Sequence, residues 1–201
     1  MAAYIRRLSS QDVDRCATLE SAAFPPSEAA THEKVRPCRL SSCPEICYGL
    51  FLRNSDGNPP DLSSVDVLST PETSDKDDIL VAHVISTKSH SPVVIDQDMD
   101  YPRDWKTNPR VVTTAGHQPT GSTVALHSLA VSPAHQRQGL GKLLMNKYIE
   151  EMKKMNGVER VALLTYDRLV PYYEKLGFKN HGKSAATYAG VSWNDLSYEV
   201  S

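Results

Sequence analysis

Residues 136 to 142 read Gln136-Arg137-Gln138-Gly139-Leu140-Gly141-Lys142 and lie between an apolar, strand-like stretch and an amphipathic, helix-like one. Two glycines one residue apart let the backbone turn sharply and come close to a ligand. A helix starting there presents unpaired N–H groups and the positive end of its dipole, which bind phosphate even without a cationic side chain. Arg137 and Lys142 add charge. A nucleotide P-loop would need glycine where the chain has Gln136, and Ser or Thr where it has Leu143. A dinucleotide fingerprint would need glycine in place of Leu144. Both are excluded.

Two further side chains are of types that either pack structurally or move protons. Tyr173 lies in LVPYYEKLGF, four residues before the Gly177-Phe178 pair. A phenol with a pKa of about 10 suits the protonation of a departing thiolate. His127 lies in TVALHSLAV, two residues before the apolar end of that stretch. Strand alternation predicts Ala125, His127 and Leu129 on one face and Leu126, Ser128 and Ala130 on the other. Cys16, Cys38, Cys43 and Cys47 form no Cys-x-x-Cys pair and have no histidine at zinc-finger distance, so reduced thiols and no metal site are expected.

The elements that must position these residues follow from periodicity and punctuation. Strands are predicted at Tyr4–Leu8, Cys47–Arg53, Ile79–Thr87, Thr123–Val131 and Val158–Tyr166, another from Phe178, and a last one at Trp193–Val200. Ser9 or Ser10 caps a helix over Gln11–Ala23, stopped by Pro25 and Pro26, and a second helix is read at Glu28–Ser41. Leu140, Leu143, Leu144, Tyr148, Ile149 and Met152 follow a 3.6-residue period, which predicts a helix over Gly139–Asn156. Pro171 starts a short helix to Leu176, ended by Gly177. Segments 54–78 and 88–121 read as long loops of a single domain spanning 1–201. A strand, helix, strand run after clustered strands implies an α/β domain with a mixed sheet and helices on both faces.

Composition is that of a globular protein, with 40% apolar and 23% charged residues and a net charge of −2. It offers no global basic field, so no nucleic-acid partner is expected. No membrane partner is expected either, and a cytoplasmic, monomeric protein is the default reading. Between residues 54 and 104 there are eleven acidic and three basic residues, a local balance that would steer a cation.

The order Gln136-x-x-Gly139-x-Gly141 after a strand ending LAV resembles the pyrophosphate-binding motif of the GNAT acetyltransferases. Tyr173 matches the tyrosine of their Tyr-x-x-x-Gly-Phe pattern, which in that family faces the coenzyme A sulfur. The stretches LHSLAVSPAHQRQGLGKLL, ALLTYDRLVPYYEKLGF, ESAAF and CPEICYGLF are similar to the arylalkylamine N-acetyltransferases, from Ile5 to about Ser184 apart from the two long loops. The resemblance implies the GNAT fold: a mostly antiparallel central sheet with a splayed parallel strand pair. It implies acetyl-CoA as cosubstrate, held by Leu129, Ala130, Val131, Arg137, Gln138, Gly139, Leu140, Gly141 and Lys142. It implies a small primary amine as acceptor, in a pocket lined by Phe24, Pro25, Leu129 and Leu164. Vertebrate members carry histidines at the positions of both Ala125 and His127, and here only His127 remains. Proton removal then rests on His127 with water, or on a group outside the motif such as His117.

The expected reaction is direct attack of the amine on the thioester in a ternary complex, with His127 and Tyr173 as catalytic residues. Alternatives from the same resemblance are acetylation of polyamines, acetylation of protein lysines or N-termini, and an acetyl-CoA-binding module without catalysis.

Overall fold

The run Tyr-Gly-Leu-Phe-Leu at 48–52 is buried at all five positions, as a strand covered on both faces must be. It sits inside one eight-stranded sheet, taken from a computed structural model in which residues 2–29, 40–53, 61–68, 78–102 and 114–200 are described. The strands are β1 (Ala2–Arg7), β2 (Tyr48–Leu52), β3 (Asp61–Leu68), β4 (Ile79–Ser89), β5 (Thr123–Val131), β6 (Arg160–Thr165), β7 (Lys179–Lys183) and β8 (Asn194–Glu199). Their order is β3-β1-β2-β4-β5-β6-β8-β7. The pairs β1/β3 and β5/β6 are parallel and the remaining neighbours antiparallel. This is the mixed, mostly antiparallel sheet that the resemblance implied.

Helix α1 (Val13–Ala23) begins after a short 3-10 turn whose N-cap is Ser9, in a capping box with Asp12. Its buried stripe, Val13, Cys16 and Leu19, packs with Tyr4, Phe51, Leu80 and Ile85 on one face of the sheet. A single turn, α2 (Asp96–Met99), follows β4. Helix α3 (Leu140–Met152) covers the opposite face, burying Leu140, Leu144, Met145 and Tyr148 against Leu50, Val84, Val124 and Leu126. The Tyr148 hydroxyl donates to the Ile46 carbonyl at 3.1 Å and so must accept from Ser86 Oγ at 2.8 Å, which leaves no buried polar atom of the pair unmatched. Helix α4 (Val170–Glu174) is short and carries Tyr173.

Three expectations need correction. The supposed loop at 54–78 contains β3, which pairs in parallel with β1 at the sheet edge. Val65 and Val67 pack on the core at period two, while Asp66 between them is exposed, as a strand at the sheet edge tolerates. The loop read at 88–121 starts two residues later, after Ser89, and contains α2. The helix read to Asn156 ends at Met152, where bonds of the i→i+3 kind tighten the chain into a turn and Gly157 takes φ +77°. Most of the helix read at Glu28–Ser41 lies outside the described residues.

Candidate active site

β5 and β6 pair in parallel only as far as Leu126↔Leu163. Beyond that point β5 keeps its antiparallel partner β4 while Leu164 and Thr165 pair with β8, so the two central strands part. A bulge in β5 marks the place: Ile85 of β4 faces Ser128 and Ser86 faces Leu126, leaving His127 without a register partner. The bulge also corrects the predicted alternation. Val124 and Leu126 lie in the core under α3, and so do Leu129 and Val131, whereas Ala130 lies with the α1 residues. His127 and Ser128 therefore both face the α1 side, and Leu129 has crossed to the α3 side.

Two cavities open where the strands part. The cleft on the loop side, about 560 Å³, is lined by Leu129, Val131, Gln136, Arg137, Gly139, Leu140, Gly141, Lys142 and Tyr172 among others. Helix α3 starts at its wall from Gly139, with no side chain capping its first N–H groups. Gly139 takes φ +84° and Arg137, unusually for a residue with a Cβ, φ +62°. Strain of that kind belongs to a loop shaped for a ligand rather than for its own comfort. A Cβ on Gly141 would come within 3.1 Å of the Tyr172 hydroxyl. Gln136 ties the loop back by donating to the Val131 carbonyl at 3.2 Å. Free N–H groups, a glycine-shaped floor and Arg137 and Lys142 at the rim fit an extended diphosphate. Two of the expected cofactor residues have side chains outside this lining: Ala130 is buried toward α1, and Gln138 is exposed with its amide turned to the Ala134 carbonyl.

The second cavity, about 110 Å³, lies on the α1 side, and Phe24, Met99, His127, Ser128, Leu129, Leu164, Tyr166 and Trp193 are among its walls. Phe24 ends α1 in an extended conformation, and that turn leaves the next residue, Pro25, exposed and outside both linings. His117, considered as a base, accepts from the Lys88 N–H at 3.1 Å and lines neither cavity. Tyr166 and Trp193 pack with ring centroids 4.8 Å apart and their planes tilted by 45°. They meet because Thr165 and Asn194 are register partners across β6/β8, a long-range fact with no local signature. The Tyr166 hydroxyl donates to the Glu28 carboxylate, and the Tyr188 hydroxyl to the Glu28 carbonyl at 3.4 Å. These contacts hold the segment after α1 against the aromatic wall.

Phe24, Leu129, Leu169 and Tyr173 line both cavities. Tyr173 is 8% exposed, and burial, then neighbouring Tyr172, pushes its pKa well up, so the phenol is a donor at neutral pH. His127 Nε2 lies 2.8 Å from Thr87 Oγ1 and Nδ1 lies 3.2 Å from Met99 Sδ. A thioether only accepts, so in the neutral ring Nδ1 carries the proton and Nε2 takes that of Thr87.

The model of the acetyltransferase (GNAT) family matches residues 76–178, a span that holds the parted strands, the glycine loop and Tyr173. The chain belongs to the GNAT acetyltransferase family. Within that family, it is 39% identical over 80 residues to serotonin N-acetyltransferase of Macaca mulatta and 35% identical over 80 residues to that of Homo sapiens. Each match covers 40% of this chain and 39% of the relative, so the chain spans about two fifths of the curated relatives it matches. Among solved structures, the loading GNATL domain of CurA from Lyngbya majuscula superposes with a TM-score of 0.69 at 15% identity, covering 98% of each chain. The PaiA N-acetyltransferase of Thermoplasma acidophilum, in complex with coenzyme A, gives 0.58 at 13% identity over 99% of each chain. These likenesses bear on the GNAT fold alone. No group of three or more metal-ligating side chains is found among the described residues, and no helix there is long and apolar enough to cross a membrane.

Proposed function

We propose that this GNAT protein transfers the acetyl group of acetyl-CoA to the primary amine of a small arylalkylamine by direct attack in a ternary complex. The observation that carries the reading is the junction of the two cavities at Leu129 and Tyr173. The loop-side cleft takes the diphosphate on the N–H groups of α3 and on Arg137 and Lys142. The pantetheine arm then runs along Leu129 and Val131 to the gap between β5 and β6. The amine enters from the α1 side, its ring against Phe24, Leu164, Tyr166 and Trp193.

Holding amine and thioester in adjoining cavities replaces a bimolecular encounter by an intramolecular one. An ammonium must lose a proton before it attacks, and the polar wall of the pocket, with His127 and Ser128, is where that proton leaves. β5 has no β6 partner beyond Leu126, so its N–H groups facing the gap, near Leu129 or Ala130, are open to the oxyanion. Tyr173 protonates the sulfur as the C–S bond breaks. No covalent enzyme intermediate enters, and Cys16, Cys43 and Cys47 are buried away from both cavities.

The Glu28 carboxylate at the rim favours a second reading, a polyamine acceptor with a second cationic group. Thiol release from acetyl-CoA with tryptamine, phenethylamine and spermidine separates the two. Faster turnover of the aryl amines supports the first, and preference for spermidine overturns it in favour of the second. Release with none of these amines, or no binding of acetyl-CoA by calorimetry, overturns both.

A further inference from the structure

Residues 184–193 join β7 to β8, a connection longer than the roughly two to five residues that close an antiparallel hairpin. The excess reaches the aromatic pocket, whose walls include Tyr188 and Trp193. Inside the loop, the Ser184 N–H donates to the Trp193 carbonyl at 3.0 Å. The Trp193 indole N–H donates to the Tyr188 carbonyl at 2.8 Å, so the two walls are tied to one another. Between them Ala189 takes φ +56°, a conformation that a residue with a Cβ rarely adopts unless its surroundings hold it there. Asp96, 91 residues earlier in the chain, holds the loop from outside. The Thr187 N–H donates to Asp96 Oδ1 at 2.9 Å and to Oδ2 at 3.1 Å, and the Thr187 hydroxyl donates to Oδ2 at 2.8 Å. Hydrogen bonds to a carboxylate are of the strong kind, and two donors of one residue on one carboxylate fix its orientation as well as its place. On the other flank the Tyr188 hydroxyl reaches the Glu28 carbonyl at 3.4 Å, a longer and weaker bond. Asp96 also opens α2, which sends Met99 into the same pocket wall, 3.2 Å from His127 Nδ1. Neither Asp96 nor Thr187 lines the pocket itself. Thr187 is exposed and Asp96 half-buried, a setting in which substitutions usually cost little stability.

We infer that Asp96 is a positioning residue for the acceptor: by gripping Thr187 it holds Tyr188 and Trp193 at the spacing that takes an aryl ring, and so makes the site select a ring-bearing amine over a flexible alkyl one. The inference rests on the acetyl-transfer reading and names the residue that sets its acceptor class. Asp96 touches no reacting atom. Its effect passes along the backbone from Thr187 to Tyr188, and through the indole hydrogen bond to Trp193, which packs on Tyr166. The Tyr188 and Trp193 ring centroids lie 6.5 Å apart. Fixed walls matter most to a planar ring, whose large contact area is lost together when one wall swings away. A linear chain has many rotamers and follows a displaced wall. Loss of the clasp therefore weakens ring binding and leaves the loop-side cleft as it was, since no residue of 184–193 lines that cleft.

The test measures thiol release from acetyl-CoA with phenethylamine and with n-hexylamine, an acceptor of similar reach without a ring. Asp96→Ala is expected to raise KM for phenethylamine about tenfold, the scale of a hydrogen bond to a charged group, and KM for hexylamine less than about twofold. Both kcat and KM for acetyl-CoA should stay at wild-type values. Thr187→Ser keeps both donors and should match the wild type. Thr187→Val loses the hydroxyl alone and should raise KM for phenethylamine about threefold. A rise of equal size with both amines, a fall in kcat with KM unmoved, or no change overturns the inference and leaves acetyl transfer intact. So does a wild type that takes hexylamine as readily as phenethylamine. Should Asp96→Ala fail to fold, the pair at Thr187 decides: Thr187→Ser and Thr187→Val with the same KM for phenethylamine overturn the assignment. A wild-type protein that releases no thiol with any amine overturns the acetyl-transfer reading itself.

Discussion

Leu129 and Tyr173 both belong to the lining of each of the two cavities. One comes from the strand just past its bulge and the other from a helix of five residues, so the junction depends on both elements keeping their place. Phe178 and Tyr172 pack edge-on against the Tyr173 ring, with centroids 5.6 and 5.0 Å away, and hold it there.

Tyr173→Phe keeps that packing and removes only the hydroxyl. The expected result is a kcat about 10²-fold lower or worse, the ordinary worth of a general acid, with acetyl-CoA affinity unchanged. Steady-state kinetics beside calorimetry checks both. A loss under about threefold would exclude the phenol as the acid.

Gly139 has no atom within 4 Å of the place a Cβ would occupy, so space does not explain the glycine. Its φ of +84° does, since a β-branched residue resists that conformation. Gly139→Val should tilt the loop and the first N–H groups of α3, raising KM for acetyl-CoA about tenfold, the weight of roughly 1.4 kcal/mol. The KM for the amine should stay close to wild type. An unchanged KM for acetyl-CoA would show that the loop does not hold the diphosphate.

Tyr166→Phe tests whether the segment after α1 closes the amine side. Burial, followed by the Glu28 carboxylate, pushes the Tyr166 pKa up to about 12, so its hydroxyl keeps its proton, and its bond to Glu28, at any ordinary assay pH. Losing one such bond, worth about 1 kcal/mol net, should raise KM for the amine about fivefold and leave kcat nearly untouched. A fall in kcat with KM unchanged would argue instead that Tyr166 touches the chemistry.

How much of this was readable beforehand depends on the range of each cause. The glycine loop, Tyr173 and the Ser9 cap were legible because spacing within a few residues determines them. The partner of Trp193 was not, because it is set by the β6/β8 register between residues 29 or more apart in the chain. The bulge at His127 was invisible too: it inverts the side of Leu129 without any glycine or proline to announce it. Pro25 was placed one residue too far along, where the chain has already turned outward. Glu20, a carboxylate on the apolar stripe of a capped helix, is legible in the sequence, but its contact with buried His83 of β4 is a long-range fact.

The first helix hangs on a buried ion pair that makes its own prediction. Arg6 and Asp12 are each 2% exposed and joined by two hydrogen bonds, Nη1 to Oδ2 at 2.8 Å and Nη2 to Oδ1 at 2.7 Å, while Asp12 also accepts from the Ser9 N–H at 2.9 Å. Burial alone would raise the Asp12 pKa, but the Arg6 hydrogen bonds and charge outweigh it and leave the carboxyl below its ordinary value. A carboxyl depressed in the folded state stabilises the fold fully above its unfolded pKa, about 3.9, and loses that contribution as pH falls through the native value. Acidification below about pH 4 should therefore lower Tm in the wild type. Asp12→Asn leaves Arg6 buried without its partner, so it should cost about 3 kcal/mol near neutrality, with a shallower further loss in acid because the titrating group is gone. Thermal melts of both proteins from pH 7 to 3 check the two slopes, and parallel slopes would show that Asp12 is not what acid removes.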